Sequence, residues 1–284
     1  MAELIDGKLV SSELRLNVKN DVEEIKSKYG LVPGLAVIIV GDNPASRVYV
    51  RNKKRACEEA GINSYEISLP ENTTEKQLLS EIEKLNKDGN VHGILVQLPL
   101  PAHISEDNVI NAIDPAKDVD AFHPVNVGKI MTGKYSFLPC TPAGVISLLD
   151  YYNVDLSGKK CVVLGRSNIV GKPMAHLLME RNATVTVCHS KTLNINDELL
   201  RADVIVVAIG RPEFLKGNSV KEGAVVIDVG INRTAEGKLV GDVDFKSVSE
   251  KASLITPVPG GVGPMTITTL LQNTLTAFKR ALSI

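Results

Sequence analysis

Three groups of side chains in this chain carry the means for chemistry. Tyr49 and Lys53 stand four residues apart, so they share one face of a helix. Gln97 closes an apolar run just before Pro99, where a polar side chain can orient a reacting group or simply satisfy a strand edge. Asp118 and Asp120 are separated by one residue in Lys117-Asp118-Val119-Asp120-Ala121-Phe122-His123-Pro124. Two acids at that spacing could bind a metal, but no neighbour completes a ligand set. A carboxylate facing the donor N–H groups of a heterocycle is the better functional use, and a capping or turn aspartate is the plain alternative.

The plain alternative for Lys53 is equally concrete. Arg47, Arg51, Lys53, Lys54 and Arg55 make a basic helix, and such runs are usually solvated. Tyr-x-x-x-Lys also occurs in short-chain dehydrogenases, where it follows the nucleotide loop. Here it precedes the candidate loop by more than 100 residues, which disfavours that reading. His92, His103 and His176 fall in ordinary contexts and read as structural. There is no Ser-His-Asp order and no nucleophile elbow.

The candidate nucleotide loop is Gly165-Arg166-Ser167-Asn168-Ile169-Val170-Gly171-Lys172-Pro173. It follows an apolar run, 161–164, and precedes a helical pattern starting at Pro173. Strand, turn and helix N-terminus together favour an anion. The loop is not Gly-x-Gly-x-x-Gly, because Ser167 and Val170 replace the second and third glycines. It is not a P-loop either, since five residues separate its glycines and Pro173 replaces the Ser or Thr that binds magnesium. The next strand, 184–188, ends in His189-Ser190-Lys191 without the carboxylate that would bind a ribose 2′-hydroxyl. A hydroxyl and cations there, with Arg166 in the first loop, suit a 2′-phosphate, so NADP is preferred over NAD. Gly210 and Gly230 end the next two strands, at the edge where ligands lie in open α/β sheets; tight turns are the bland use of each.

The elements that must position these groups alternate. Strands read at 31–40, 64–69 and 91–98, with helices at 46–60 and 74–87 between them. Residues 115–142 are rich in Pro, Gly, Asp and His and read as a long functional or connecting loop, ahead of a helix at 143–152. A second series has strands at 161–164, 184–188, 203–208 and 224–228, with helices near 173–181 and 195–201. A Pro/Gly-dense stretch, 256–266, precedes a final helix to Ala281. The fold class is therefore α/β: two α/β domains, the second a Rossmann-like parallel sheet, with a cleft between them. The boundaries expected are 1–140 and 141–265, with the helix 266–284 packing back onto the first domain.

Composition sets outer limits. The 284 residues suffice for two ordinary domains, and a net charge of −1 gives no bulk pull toward nucleic acid or membrane. No stretch reaches a membrane span, and the first residues carry charges early rather than a signal-peptide core. Four scattered cysteines form neither a Cys-x-x-Cys pair nor a metal spacing, so reduced thiols and no metal are expected.

Taken together and in order, Tyr49-x-x-x-Lys53, Val96-Gln97-Leu98-Pro99, Lys117-Asp118-Val119-Asp120, Pro139-Cys140-Thr141-Pro142, Gly165-Arg166-Ser167 and Pro257-Val258-Pro259-Gly260-Gly261-Val262-Gly263-Pro264-Met265-Thr266 resemble one family. It is the bifunctional methylenetetrahydrofolate dehydrogenase/methenyltetrahydrofolate cyclohydrolase. The resemblance spans essentially the whole chain, which is expected to lack the synthetase domain of trifunctional relatives. It implies NADP-dependent oxidation of 5,10-methylenetetrahydrofolate, then hydrolysis to 10-formyltetrahydrofolate, without a metal. Lys53 would be the catalytic lysine, with Arg51, Lys54 and the cationic substrate depressing its pKa. Gln97 would hold Lys53, Tyr49 would border the folate ring and Asp120 would bind the pterin edge. Val96, Leu98, Pro259, Gly260, Gly261, Gly263 and Thr266 would line the folate site. Gly165, Arg166, Ser167, Ser190, Gly210, Gly230 and Ile231 would contact NADP. Ala121 stands where the family is expected to have glycine and adds a methyl beside that site. A cytoplasmic homodimer is implied by the resemblance alone. The competing readings are an NADP-dependent dehydrogenase of another small substrate and a non-catalytic nucleotide-binding regulator.

Overall fold

The structure is a computed structural model. It describes residues 1–234 and 236–284, with the side chain of residue 45 also left aside. In chain order the elements begin with β1 (Glu3–Leu4), α1 (Gly7–Tyr29), β2 (Gly34–Val40), α2 (Pro44–Ala60), β3 (Asn63–Leu69), α3 (Glu75–Lys87) and β4 (Gly93–Val96). Then come α4 (Glu106–Ala112), α5 (Pro124–Met131), α6 (Cys140–Tyr151), β5 (Lys160–Leu164), α7 (Gly171–Glu180) and β6 (Thr184–Cys188). The chain ends with α8 (Ile195–Arg201), β7 (Val204–Val207), β8 (Val225–Asp228), β9 (Asn232–Arg233), β10 (Leu239–Val240), α9 (Phe245–Ser249), β11 (Leu254–Ile255) and α10 (Val262–Leu282). Among the described residues no helix is long and apolar enough to cross a membrane.

The chain divides into two compact units. One comprises Glu13–Cys140 and Ile267–Ile284, the other Met1–Ser12 and Thr141–Thr266. The first twelve residues therefore group with the second α/β series rather than with 13–140. The cause is β1, which pairs parallel to β11 through Glu3↔Leu254 and Leu4↔Ile255.

In the unit built on Glu13–Cys140, β2 is the centre of a parallel three-stranded sheet in the order β3-β2-β4. Both faces of β2 are covered, which explains its uninterrupted apolar sequence. Leu35, Val37 and Ile39 pack with Val18, Val22 and Ile25 of α1, Val50 and Ala56 of α2, and Leu270, Leu271 and Phe278 of α10. Ala36, Ile38 and Val40 pack with Leu78, Ile82 and Leu85 of α3 and Val109 of α4. Helix α3 starts on a capping box in which Thr74 and Gln77 satisfy each other's backbone N–H groups.

The other unit holds a six-stranded sheet in the order β1-β11-β8-β7-β5-β6, with every pairing parallel. Strand β5 lies between β6 and β7, so the chain leaves it first to one side and then to the other. That reversal is a topological switch point, where open α/β sheets bind ligands at the C-terminal strand ends.

Three expectations need correction. The long loop 115–142 contains α5, started by Pro124 and capped by His123, whose Nδ1 accepts from the Val125 N–H. The stretch 256–266 is not all loop: α10 begins at Val262, so Gly263 and Thr266 are helical. Pro264 falls in the first turn, where its missing N–H costs nothing. Strand 91–98 is shorter, Gly93–Val96, and Gln97 lies just beyond it, although its N–H still reaches the Ile38 carbonyl at 2.8 Å.

Candidate functional site

Helix α2 is basic, and most of its cations are solvated as such runs usually are. Arg47 pairs with Asp42, and Arg55 pairs with Glu59. Arg51 and Lys54 are exposed. Lys53 is the exception, only 8% exposed. Its Nζ donates to Gln97 Oε1 at 3.0 Å, and Gln97 Nε2 in turn donates to the Leu98 carbonyl at 2.7 Å. Burial pulls the Lys53 ammonium below the ordinary value of 10.5, while the charge of Asp120 works the other way. The exposed cations on the same helix are not what depresses it; desolvation is.

The thiols around Lys53 stay neutral. Burial pushes Cys57 up to about 12 and Cys140 well above its ordinary value. A buried amine beside neutral thiols, one amide oxygen and one carboxylate can exchange a proton with a bound molecule. Tyr49 lies one turn before Lys53 and is 37% exposed. Val96 and Leu98 are half-buried on either side of Gln97.

Asp118 and Asp120 do different work. Asp118 is buried, and its carboxylate accepts from the Phe122 N–H (3.3 Å), the His123 N–H (2.9 Å) and Asn126 Nδ2 (2.8 Å). Burial raises its pKa against those donors. It is the turn aspartate, wrapping residues 118–123 around its own side chain. Asp120 is half-buried and electrostatically coupled to Lys53. Asn273 holds the same loop from α10, donating through Nδ2 to the carbonyls of Val119 (2.8 Å) and Leu138 (2.9 Å). Asn273 was not visible as a site residue in the sequence. Its only signal is an amide among apolar residues in the final helix. Ala121 is fully buried at φ +57°, a left-handed conformation that explains why glycine is expected there.

The nucleotide loop belongs to the other unit. A Cβ on Gly165, at φ +118°, would lie 2.2 Å from the Ala208 carbonyl oxygen. One on Gly171 would lie 2.3 Å from the Gly165 carbonyl oxygen. Both glycines are therefore demanded by close backbone approach, in the same turn that ends β5 at the switch point. Ser167 Oγ accepts from the N–H groups of Val170 (3.2 Å) and Gly171 (3.3 Å), and the Ser167 carbonyl accepts from the Lys172 N–H. The first N–H groups of α7 are thus engaged within the loop. Arg166 and Ser190 are exposed at adjacent strand ends, because Leu164 and Cys188 are paired and the Gly165 N–H donates to the Cys188 carbonyl at 2.9 Å.

Gly210, at φ +65°, follows β7. Gly230 follows β8, and a Cβ there would lie 2.3 Å from the Asp242 carboxylate. Ile231 beside it is exposed. Pro259, Gly260 and Gly261 form the turn before α10. There Gly260 has φ +110°, and a Cβ on Gly261 would lie 2.6 Å from the Pro257 carbonyl oxygen.

Comparison with known proteins decides among the readings. Residues 5–120 match the catalytic domain of the tetrahydrofolate dehydrogenase/cyclohydrolase family, and residues 139–282 match its NAD(P)-binding domain. The chain belongs to the tetrahydrofolate dehydrogenase/cyclohydrolase family. It is 62% identical to the bifunctional protein FolD of Acetivibrio thermocellus over 98% of this chain and 97% of the relative. The crystal structure of FolD from Campylobacter jejuni superposes with a TM-score of 0.96 at 54% identity, covering 99% of this chain and 100% of that one. FolD of Trypanosoma brucei, complexed with NADP cofactor and inhibitor, gives 0.96 at 41% identity, over 100% and 99% of the two chains. The family's catalytic-domain match contains Lys53, Gln97 and Asp120; its nucleotide-domain match contains the 165–171 loop.

Proposed function

We propose that Lys53, held by Gln97, is the proton-handling group of this bifunctional methylenetetrahydrofolate dehydrogenase and methenyltetrahydrofolate cyclohydrolase. The observation that carries the proposal is the 3.0 Å bond from buried Lys53 Nζ to Gln97 Oε1. In the hydrolysis, water adds to the methenyl carbon and loses a proton, a ring C–N bond breaks, and 10-formyltetrahydrofolate leaves. A lysine kept partly neutral by desolvation takes the proton from the attacking water, its ammonium returns one to the departing nitrogen, and the remaining hydroxyl proton leaves to solvent as the formyl C=O forms. Gln97 fixes the amine's direction. Asp120 takes the donor N–H groups of the pterin edge. Tyr49 borders the ring, with Val96 and Leu98 as further folate contacts.

The chain's residues also fit the dinucleotide. Gly165 and Gly171 let the backbone of the turn pack too closely for any Cβ, and Arg166 with Ser190 supplies a cation and a hydroxyl suited to a 2′-phosphate. Ser167, Gly210, Gly230 and Ile231 complete the proposed contacts. NADP supplies the hydride acceptor for oxidation of the methylene carbon. Family membership supports a homodimer working in the cytoplasm.

Replacing Lys53 with Met tests the assignment. Cyclohydrolase turnover should fall at least ~100-fold, the lower end for a lost acid–base group, while NADP binding stays unchanged. Normal turnover in Lys53→Met would remove the role.

A further inference from the structure

The nucleotide-binding unit contains a buried polar cluster of its own. Asp242 is fully buried. Its Oδ2 accepts from the N–H groups of Ile209 (2.7 Å) and Gly210 (2.9 Å), in the turn after β7. Its Oδ1 accepts from Asn232 Nδ2 at 2.8 Å, in the strand that follows the turn after β8. One carboxylate thus ties two successive turns at the C-terminal edge of the sheet. Asp228 fixes it in place, accepting from the N–H groups of Asp242 (2.9 Å), Val243 (3.0 Å) and Gly230 (3.0 Å). The fit is tight on both sides. A Cβ on Gly230 would meet the Asp242 carboxylate, and a Cβ on Gly241 would lie 1.7 Å from Asp228 Oδ2.

We infer that Asp242 is a positioning residue for NADP, which holds the Gly210 and Ile231 turns in the shape that receives the dinucleotide. The inference rests on the reading that those two turns face the cofactor. The geometry gives it content beyond fold stability. The N–H groups that Asp242 engages belong to the turns themselves rather than to strand ladders, and a carboxylate can accept from all three donors at once. An amide of the same size cannot. With its one oxygen on the Ile209 and Gly210 N–H groups, its NH2 faces Asn232, which must turn its own amide to accept, and the charge that strengthens all three bonds is gone.

The test uses full-length Asp242→Asn and two readouts. Equilibrium titration of NADP by calorimetry should show Kd raised about 10–100-fold, the cost of about 1.4–2.8 kcal/mol expected for one or two lost charge-assisted bonds. Cyclohydrolase turnover, which needs no hydride acceptor and uses Lys53, should stay within about twofold of wild type. An unchanged Kd overturns the inference, and so does a parallel loss of both activities in a folded variant. Failure of the wild-type enzyme to bind NADP would instead sink the underlying cofactor reading. If Asp242→Asn does not fold, Asn232→Ala decides. It removes only the donor to Oδ1, and it should raise the NADP Kd several-fold with cyclohydrolase turnover intact; no change in Kd would overturn the inference.

Discussion

Replacing Gln97 with leucine isolates the bond that holds Lys53. Leucine keeps most of the side-chain volume but removes the Oε1 acceptor at 3.0 Å and the Nε2 donor to the Leu98 carbonyl. The ammonium loses more than the neutral amine does, because a hydrogen bond to a charged group contributes about 1.5–3 kcal/mol. The difference from the ordinary bond that the neutral amine makes is about 1 kcal/mol, which shifts the protonation equilibrium about fivefold toward the amine and lowers Lys53 beyond the effect of burial. The base form then predominates at lower pH, so the rising limb of the cyclohydrolase pH–rate profile should move down by the same amount. The plateau rate should also fall, because the amine is no longer aimed. Steady-state hydrolysis of methenyltetrahydrofolate across the pH range reads both effects. A limb that stays in place, or moves to higher pH, would refute the claim that Gln97 stabilises the Lys53 ammonium.

Two further outcomes follow from the nucleotide-binding unit. Arg166→Ala should cut the preference for NADP over NAD about 10–100-fold, chiefly through the NADP KM, since one charge-assisted phosphate contact is lost; an unchanged ratio of kcat/KM values would remove Arg166 from the 2′-phosphate site. Burial pushes Asp228 up from 3.8 to about 7, against three backbone N–H donors that favour its carboxylate. The folded state therefore binds this proton more tightly than the unfolded chain. The stability Asp228 contributes is present below about pH 4 and is lost as pH rises toward about 7. Melting temperatures measured from pH 4 to pH 8 should fall less steeply for Asp228→Asn than for wild type, and parallel slopes would contradict the assignment.

The parts of this architecture that were legible in the sequence are those carried by local pattern. The continuous apolar run of β2 announced a doubly covered strand, and the spacing of Tyr49 and Lys53 placed them on one helix face. Helix α1 was also written in the sequence, as a stripe through Val10, Leu14, Val18, Val22 and Ile25, but dense polar residues between them obscured it. Helix α5 is short and starts at a proline in a loop-like composition, so local pattern alone could not separate it from a turn. What no local pattern encodes is burial. Lys53 sits in a basic run that reads as solvated, and only tertiary packing shows that it is desolvated while Arg51 and Lys54 are not. Asp242 is hidden for the same reason: its partners Ile209, Gly210 and Asn232 come from separate turns. Ala121 lies between these cases. Its departure from glycine could be seen in the sequence, but the left-handed φ that makes it costly could not.

The central claim is that Lys53 is poised for proton transfer by desolvation, and its pKa can be measured directly. Carbon-13 NMR titration of the lysine side chains, with the Lys53 resonance assigned by its absence in Lys53→Met, reports that value in the intact enzyme. Lys53 should titrate below the ordinary 10.5, coincident with the rising limb of the wild-type cyclohydrolase profile. A Lys53 that titrates at or above 10.5, or away from the kinetic limb, would contradict the central claim.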